Sequence, residues 1–508
     1  MFTLNSTTTH SSQEFYFMNM GSPFDRRRAG LLLHPTSLPG GYGNGDLGAD
    51  AYRFVDFIAA CGFTVWQTLP LGPTHDDLSP YSAQSVHAGN PRLIALEPLI
   101  DAGWLRADGG PGAGEDGWAY RRRRLAEART GFQGRGGKDF AAFETFRHQN
   151  RHWLDDYALY QGIRAANGQR AWFNWSSELR DRDPKALASI RQQQAEAILQ
   201  CQFEQFLFDR QWMALKRYAN EHGVLLFGDI PLFVGYDSAD VWAQREAFLL
   251  DRDGRREVVA GVPPDYFSAD GQLWGNPHYA WEAMQANGFL WWKERIRTQL
   301  KQFDLLRIDH FRGLEAYWEI PASAKTAING RWQLAPGDAL FKALKAEFGV
   351  LPLVAEDLGI ITAEVETLRD DHDLPGMKVL HFAFGGGADN PYLPHNHVIN
   401  SVVYTGTHDN NTTLGWFHEL DPHTRNHLFD YLGGGPERMP ELLVRAAFAS
   451  VARLAVVPMQ DVLALGGEHR MNRPGVADGC WRWRFRWDQV GHQVAGHYRH
   501  LLDVYGRV

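Results

Sequence analysis

The sequence predicts an α/β fold: a (β/α)8 barrel of the TIM type, with helical and loop insertions built over the C-terminal face of its strands. Three observations lead there. Eight short apolar runs bounded by turn residues recur from Ala29 onward, helical periodicity lies between most of them, and four of the runs end in acids. The runs are continuous rather than alternating, as strands buried on both faces are.

Residues 1–28 read as a flexible N-terminal arm ending in the basic run Arg26–Arg28, and the catalytic barrel is expected over 29–508. The first strand falls at 30–35, and Ala51, Phe54, Val55 and Ile58 give the helix behind it. The second falls at 63–70. The stretch of about 71–223 is too long for a crossover and is read as an insertion. Its later part is helical: Asp183-Pro184 is a helix start, and Leu187, Ile190, Ala197, Leu199, Phe203, Phe206 and Leu207 form an apolar stripe. The third strand, 224–234, is followed by a second insertion, 235–303, which holds VAGVPPDYFSADGQLWGNPHY at 259–279. The remaining strands fall at 304–311, 351–357, 376–382, 402–409 and 454–462, with Val365 and Leu368 marking the helix after the fifth. About 45 residues follow, too few for a C-terminal β-sandwich. There is no internal repeat and no long linker.

Composition narrows the function classes. The chain is 44% hydrophobic and 22% charged, an ordinary globular balance. Its net charge of −9 argues against a nucleic-acid binder held by phosphates. Cys61, Cys201 and Cys480 are sparse and far apart, which gives neither a disulfide framework nor a zinc pattern and points to a reducing compartment. No apolar run approaches the ~18 residues of a membrane helix, and the first twenty residues lack the apolar core of a signal peptide. The cytoplasm is the expected location. The 30 Phe, 18 Trp and 17 Tyr supply core, and aromatic faces also stack on sugar rings.

The acids carry the chemistry. Gly228-Asp229-Ile230 ends the third run, Arg307-Ile308-Asp309-His310 lies on the fourth, Glu356-Asp357 ends the fifth and His408-Asp409-Asn410 ends the seventh. A lone carboxylate after a strand is usually a cap or turn former. Four on four strands of one barrel converge on one mouth. Paired carboxylates there suit glycoside chemistry, one attacking or stabilising the anomeric carbon while the other donates and removes a proton. Arg307, two residues before Asp309, points to the same face and keeps that Asp ionised.

These residues lie in stretches that resemble the 4-α-glucanotransferases (amylomaltases, disproportionating enzymes) of glycoside hydrolase family 77 in the α-amylase superfamily. The stretches are LLLHPTSLPGGYGNGDLG (31–48), SPYSAQSVHAGNPRLIALEPL (79–99), GDIPLFVGYDSADVW (228–242), VAGVPPDYFSADGQLWGNPHY (259–279), RIDHFRG (307–313), AEDLG (355–359), LPGMKVLHFAF (374–384), YTGTHDNNTTLGW (404–416) and PMQDVLALGGEHRMNRPG (458–475). They run from 29 to about 487 in the family's order, and HPTSLPG with VPPDYFS is specific to it.

The resemblance implies transfer of an α-1,4-glucan segment to another glucan's 4-OH by a retaining double displacement. It implies Asp309 as nucleophile, Glu356 as general acid/base and Asp409 as the third carboxylate holding donor-sugar hydroxyls. Arg307 is the charge partner of Asp309, and Asp229, His408 and Asn410 support the donor site. Tyr81 stacks under the donor sugar, while Asp265, Tyr266, Trp274 and Asn276 belong to an acceptor-side lid. Retention asks for carboxyl groups about 5–5.5 Å apart. No cofactor and no metal are needed. The partners expected are α-1,4-glucans and maltooligosaccharides as donor and acceptor, with no nucleic acid and no membrane, and the oligomeric state is left open. Three positions depart from the family pattern: Asn411 for the second Asp of THDNDT, His381 for the Gln after MKVL, and His87 for the apolar residue before AGN. They bear on subsite detail and pH optimum.

A hydrolase of the same superfamily shares every step up to the covalent intermediate, and a non-catalytic glucan binder would keep the groove without needing the three acids. Other motifs read as structure. Gly43-x-Gly45-x-x-Gly48 lies too far past its strand for a dinucleotide loop. The alternation of 481–487, WRWRFRW, describes an extended segment with one packed face. Arg121–Arg124 reads as a solvated helix face, His395-Asn396-His397 as structural or solvated histidines, and Cys480 as a buried thiol.

Overall fold

A computed structural model describes residues 22–134, 136–264, 268–476 and 478–508. The eight expected runs are the strands of one parallel sheet: β1 (Arg28–Leu32), β2 (Val65–Gln67), β3 (Leu225–Pro231), β4 (Leu305–Asp309), β5 (Leu353–Ala355), β6 (Gly376–Val379), β7 (Ser401–Tyr404) and β8 (Leu454–Pro458). The sheet runs β6-β7-β8-β1-β2-β3-β4-β5, and the seam is bridged where Ala355 N–H donates to the Pro375 carbonyl at 2.8 Å. Among the described residues no strand follows Pro458.

Period-two alternation divides each strand between two cores. Leu225, Phe227, Leu305, Val354, Val402, Tyr404, Leu454 and Val456 fill the barrel. Leu226, Ile230, Leu306 and Ile308 face the surrounding helices. Continuing that alternation one step sends Asp229, Arg307 and Asp309 inward at the C-terminal end. Register then matters: Asp229 pairs with Arg307, and Pro231 with Asp309. Gly228 is needed on the outward side, because a Cβ there would come within 2.4 Å of the Phe303 ring.

Behind β1, α1 (Ala49–Cys61) buries Ala51, Phe54, Val55 and Ile58 as expected. The stretch between β2 and β3 is mainly helical, with α2 (Gly117–Gln133), α3 (Lys138–Ala166), α4 (Pro184–Gln193) and α5 (Ala195–Glu221). Asp183 caps α4 through the N–H groups of Lys185 and Ala186, with Pro184 in the first turn. The apolar stripe is split at Gln194 between α4 and α5, whose Phe203 and Phe206 pack with Phe132 and Phe143. Asp237, after β3, fastens this layer by accepting from Tyr160 Oη at 2.8 Å and from the Arg164 guanidinium.

Arg121–Arg124 corrects a reading. Arg121 is fully buried and Arg124 nearly so, while Arg122 and Arg123 are exposed. The Arg121 guanidinium donates to Asp46 at 2.8 Å and to the Arg92 carbonyl, tying α2 to the loop before α1. A run of four basics reads as solvated only if no buried acid meets it. The same loop explains the spaced glycines, since a Cβ at Gly45 would sit 2.3 Å from the Pro35 carbonyl oxygen. Arg121→Ala is expected to cost roughly 3–5 kcal/mol by stranding Asp46, against under about 0.5 kcal/mol for exposed Arg122→Ala, measured by denaturant unfolding.

Exposed Arg26 and half-buried Arg27 both bind main-chain oxygens. Arg26 donates to the Val508 carbonyl at 2.6 Å, and Arg27 to the carbonyls of Tyr505, Phe448 and Ser450. A second, antiparallel sheet stands beside the mouth. Its order is 272–273, 258–262, 316–321, 331–334, and one cross-strand row reads Leu273, Gly261, Trp318, Trp332. No helix among the described residues is long and apolar enough to cross a membrane.

Candidate active site

The barrel brings Asp229, Arg307 and Asp309 into one hydrogen-bonded group at its mouth, with Glu356 close enough to feel the charges of Arg307 and Asp309. Arg307 is buried, and its Nη1 donates to both oxygens of buried Asp229, at 2.7 and 2.9 Å. Its Nη2 donates to Asp309 Oδ1 at 2.7 Å, so the carboxylate is aimed by one oxygen. Tyr81 Oη donates to Asp229 Oδ2 at 2.6 Å, completing a line from Tyr81 to Asp309. Asp229 is therefore a support that fixes the arginine.

Glu356 follows β5 and is locked to the loop after Asp309. Its backbone N–H donates to the Ile308 carbonyl, and its carbonyl accepts from Phe311. Its Oε2 accepts from the His310 backbone N–H at 2.7 Å and its Oε1 from Leu358 at 3.1 Å. His310 makes the first bond from the left-handed region, φ 55°, a conformation uncommon among residues other than glycine but one that histidine adopts more readily than most. Burial lifts the Glu356 carboxyl to about 7; Arg307 opposes this and Asp309 adds to it. The adjacent Asp357 is spent on structure, accepting from Met377 N–H at 2.6 Å and pairing with Arg369 of α6 (Ala363–Asp371).

Asp409 follows β7 and is half-exposed toward the opening. Asn472 Nδ2 donates to its Oδ1 at 2.6 Å, and Arg470 to its main-chain oxygen at 2.9 Å. His408 brings Nε2 to 3.3 Å from Asp409 Oδ1 without hydrogen-bond geometry, which leaves a buried ring nitrogen with no partner. The His408 ring stacks on Tyr81, 5.1 Å between centroids and 8° between planes. Asn410 uses its oxygen to accept from Thr407 N–H and Oγ1, shaping the turn.

On the other side Trp274 is 39% exposed, its ring edge-on to His310 at 4.8 Å. Burial pushes the His310 imidazole down to about 4, so it is neutral. Asn276 Nδ2 anchors the segment to the Val234 carbonyl at 2.8 Å. Asp265 and Tyr266 lie outside the described residues.

Residue-by-residue reading missed Asn472, Arg470 and Trp481, whose ring lies 5.9 Å from Tyr81 and 6.0 Å from His408. Barrel logic was the available signal, since the loop after an eighth strand also reaches the mouth. In the 481–487 stretch the expected alternation holds at Phe485, which is buried between exposed Arg486 and half-buried Arg484, on irregular chain rather than a strand. The three positions expected to depart from the family pattern all have structural partners. His381 stacks on Trp416 at 4.5 Å, His87 binds Thr298 at 2.8 Å, and Asn411 donates to Glu419 at 2.8 Å. Both rings of His395 and His397 are occupied by hydroxyl and carbonyl oxygens. Cys61, Cys201 and Cys480 are all buried and free.

A carboxylate aimed by a guanidinium, near a buried carboxyl raised to about 7, at the mouth of a parallel barrel, is the equipment of an enzyme that works on glycosidic bonds. A family profile described as 4-alpha-glucanotransferase matches residues 33–489. The 4-alpha-glucanotransferase of Thermus thermophilus is 50% identical over 496 residues, covering 95% of this chain and 99% of that protein. That of Synechocystis is 46% identical over 500 residues, covering 95% and 98%. The solved structure of amylomaltase from Streptococcus agalactiae in complex with acarbose superposes with a TM-score of 0.91 at 36% identity, covering 95% of this chain and all of that one. The chain belongs to the 4-alpha-glucanotransferase family, glycoside hydrolase family 77.

Proposed function

We propose that this mouth performs the family's α-1,4-glucan transfer with Asp309 as nucleophile and Glu356 as acid/base. The observation that carries the reading is the contrast between the two carboxyls. Asp309 has one oxygen pinned by Arg307, which leaves Oδ2 for attack, while burial keeps Glu356 protonated up to about pH 7. Asp309 Oδ2 forms a bond to the anomeric carbon as the glycosidic C–O bond breaks. The Glu356 proton passes to the departing 4-oxygen. Glu356, now a carboxylate, takes the proton from an incoming 4-OH, whose oxygen displaces Asp309. Two inversions return the α linkage. Asp409, the unpartnered His408 Nε2 and the Tyr81 and Trp481 rings offer the donor sugar hydroxyl contacts and a stacking surface. Donor and acceptor are α-1,4-glucans and maltooligosaccharides, and the three buried free thiols support a reducing, cytoplasmic setting.

Transfer must outrun water at about 55 M, which a positioned acceptor achieves through orientation. Trp274, with Pro263–Asn276, is the acceptor-side group in this reading. Maltotriose is expected to give glucose and a ladder of longer oligomers at nearly constant reducing-end number. Trp274→Ala is expected to raise the hydrolysis share several-fold. Steadily rising reducing ends from the unmodified enzyme, with nothing longer than maltotriose, would make it a hydrolase.

A further inference from the structure

In the reading above Glu356 protonates the oxygen that leaves, so the chain following it lies beside the leaving and acceptor sugars. The structure links that chain to an exposed aromatic ring farther out. Arg312, three residues after Asp309, donates from Nη1 to the Ile360 carbonyl at 2.6 Å, and its guanidinium carbon stands 3.9 Å over the Trp332 ring. One cation thus joins the nucleophile's loop, the acid/base's loop and the strand 331–334. Its Nε is buried without a hydrogen-bond partner, so stacking on Trp332 is a principal contact of this side chain.

Trp332 is 41% exposed, although its neighbours hold it in place. It packs edge-on to Trp318 at 5.1 Å and 62°, and Trp318 Nε1 donates to the Ala327 carbonyl at 2.8 Å. The row Trp332, Trp318, Gly261, Leu273 ends one residue before Trp274, whose backbone N–H donates to the Ala260 carbonyl at 3.1 Å, so one exposed indole lies on the small sheet and the other just past its edge strand. A fixed, guanidinium-backed indole matches the C–H faces of a sugar ring, because its electron-rich face attracts their weakly positive hydrogens. Its continuity with the mouth through Arg312 and Leu273–Trp274 selects a glucan chain as occupant.

We propose that Trp332 is a distal stacking platform for an α-1,4-glucan acceptor, engaging glucose units beyond the one at Trp274. The proposal rests on the assignment of Glu356 as acid/base and of Trp274 to the acceptor side. Beyond that assignment, it makes acceptor length a property that the small sheet reads.

The test uses the full-length enzyme with α-maltotriosyl fluoride as donor and glucose, maltose, maltotriose, maltotetraose or maltopentaose as acceptor. In the unmodified enzyme the acceptor KM is expected to fall with length. Trp332→Ala is expected to flatten that fall, raising KM for maltotetraose about tenfold with kcat little altered and with the smallest effect on glucose. Trp332→Phe restores most of the length dependence. Trp332→Thr, suited to a strand, replaces the alanine variant if that one melts early. A KM series identical to that of the unmodified enzyme overturns the proposal, as does an equal loss for every acceptor including glucose. An unmodified enzyme that hydrolyses the donor without transferring to any acceptor instead overturns the transfer reading beneath it.

Discussion

Asp309→Asn is expected to lower turnover on maltooligosaccharides by roughly four orders of magnitude or more, while the protein still binds them. The substitution keeps shape and hydrogen bonding, since an amide oxygen still accepts from Arg307 Nη2. What it removes is the charge and lone pair that attack the anomeric carbon. Arg307 keeps its two bonds to Asp229, so the mouth is not left with a stranded cation. Initial rates on maltotriose, paired with calorimetric binding of the same sugar, measure both halves. Near-normal rates would end the nucleophile assignment.

Glu356→Gln is expected to stop transfer from maltooligosaccharides almost as completely, but to spare reaction with α-glucosyl fluorides. A poor leaving group needs the proton, and fluoride does not. Stopped-flow loading should be far faster for this variant than for Asp309→Asn, and equal loading would mean that the role is misplaced. The pH dependence carries a sign. Glu356 is raised by burial to about 7, so the competent acid form is present below that value and is lost as pH rises through it. kcat/KM for maltotriose should therefore fall on the alkaline side near pH 7. The same limb should be missing when Glu356→Gln is loaded with a fluoride.

The parts legible in sequence were those governed by burial and period. Each of the eight strands overlaps an expected run, six lying wholly within theirs while those at Arg28–Leu32 and Ser401–Tyr404 start one or two residues earlier, because covering both faces keeps most positions apolar until the mouth is reached. Where Leu305 and Leu306 give way to Arg307 and Asp309, alternation alone assigns the inward face. The small sheet was harder to see, since its strands are short or near an edge and part of its surface is wet, which erases the continuous apolar signal. Glu356 and Asp357 are neighbours with opposite fates, and only the closure of β5 on β6 shows that Asp357 is consumed by Met377 and Arg369. Arg121 was misread for a related reason: its partner, Asp46, lies 75 residues away, and no local pattern announces a contact at that range. Asn472 reaches Asp409 across 63 positions in the same manner.

The line from Tyr81 through Asp229 and Arg307 to Asp309 has a consequence for how this enzyme can change over time. Each member is held by the next, so losing one alters what the others contribute, and their substitutions should be strongly non-additive in double-mutant cycles. A lineage, or a directed-evolution library, that alters any one of them passes through crippled intermediates before a second change can compensate. New glucan preferences are more accessible at the rim. Trp274 and Trp332 stand partly in solvent, outside that shared line, and single steps there can be sampled one at a time without first dismantling the chemistry.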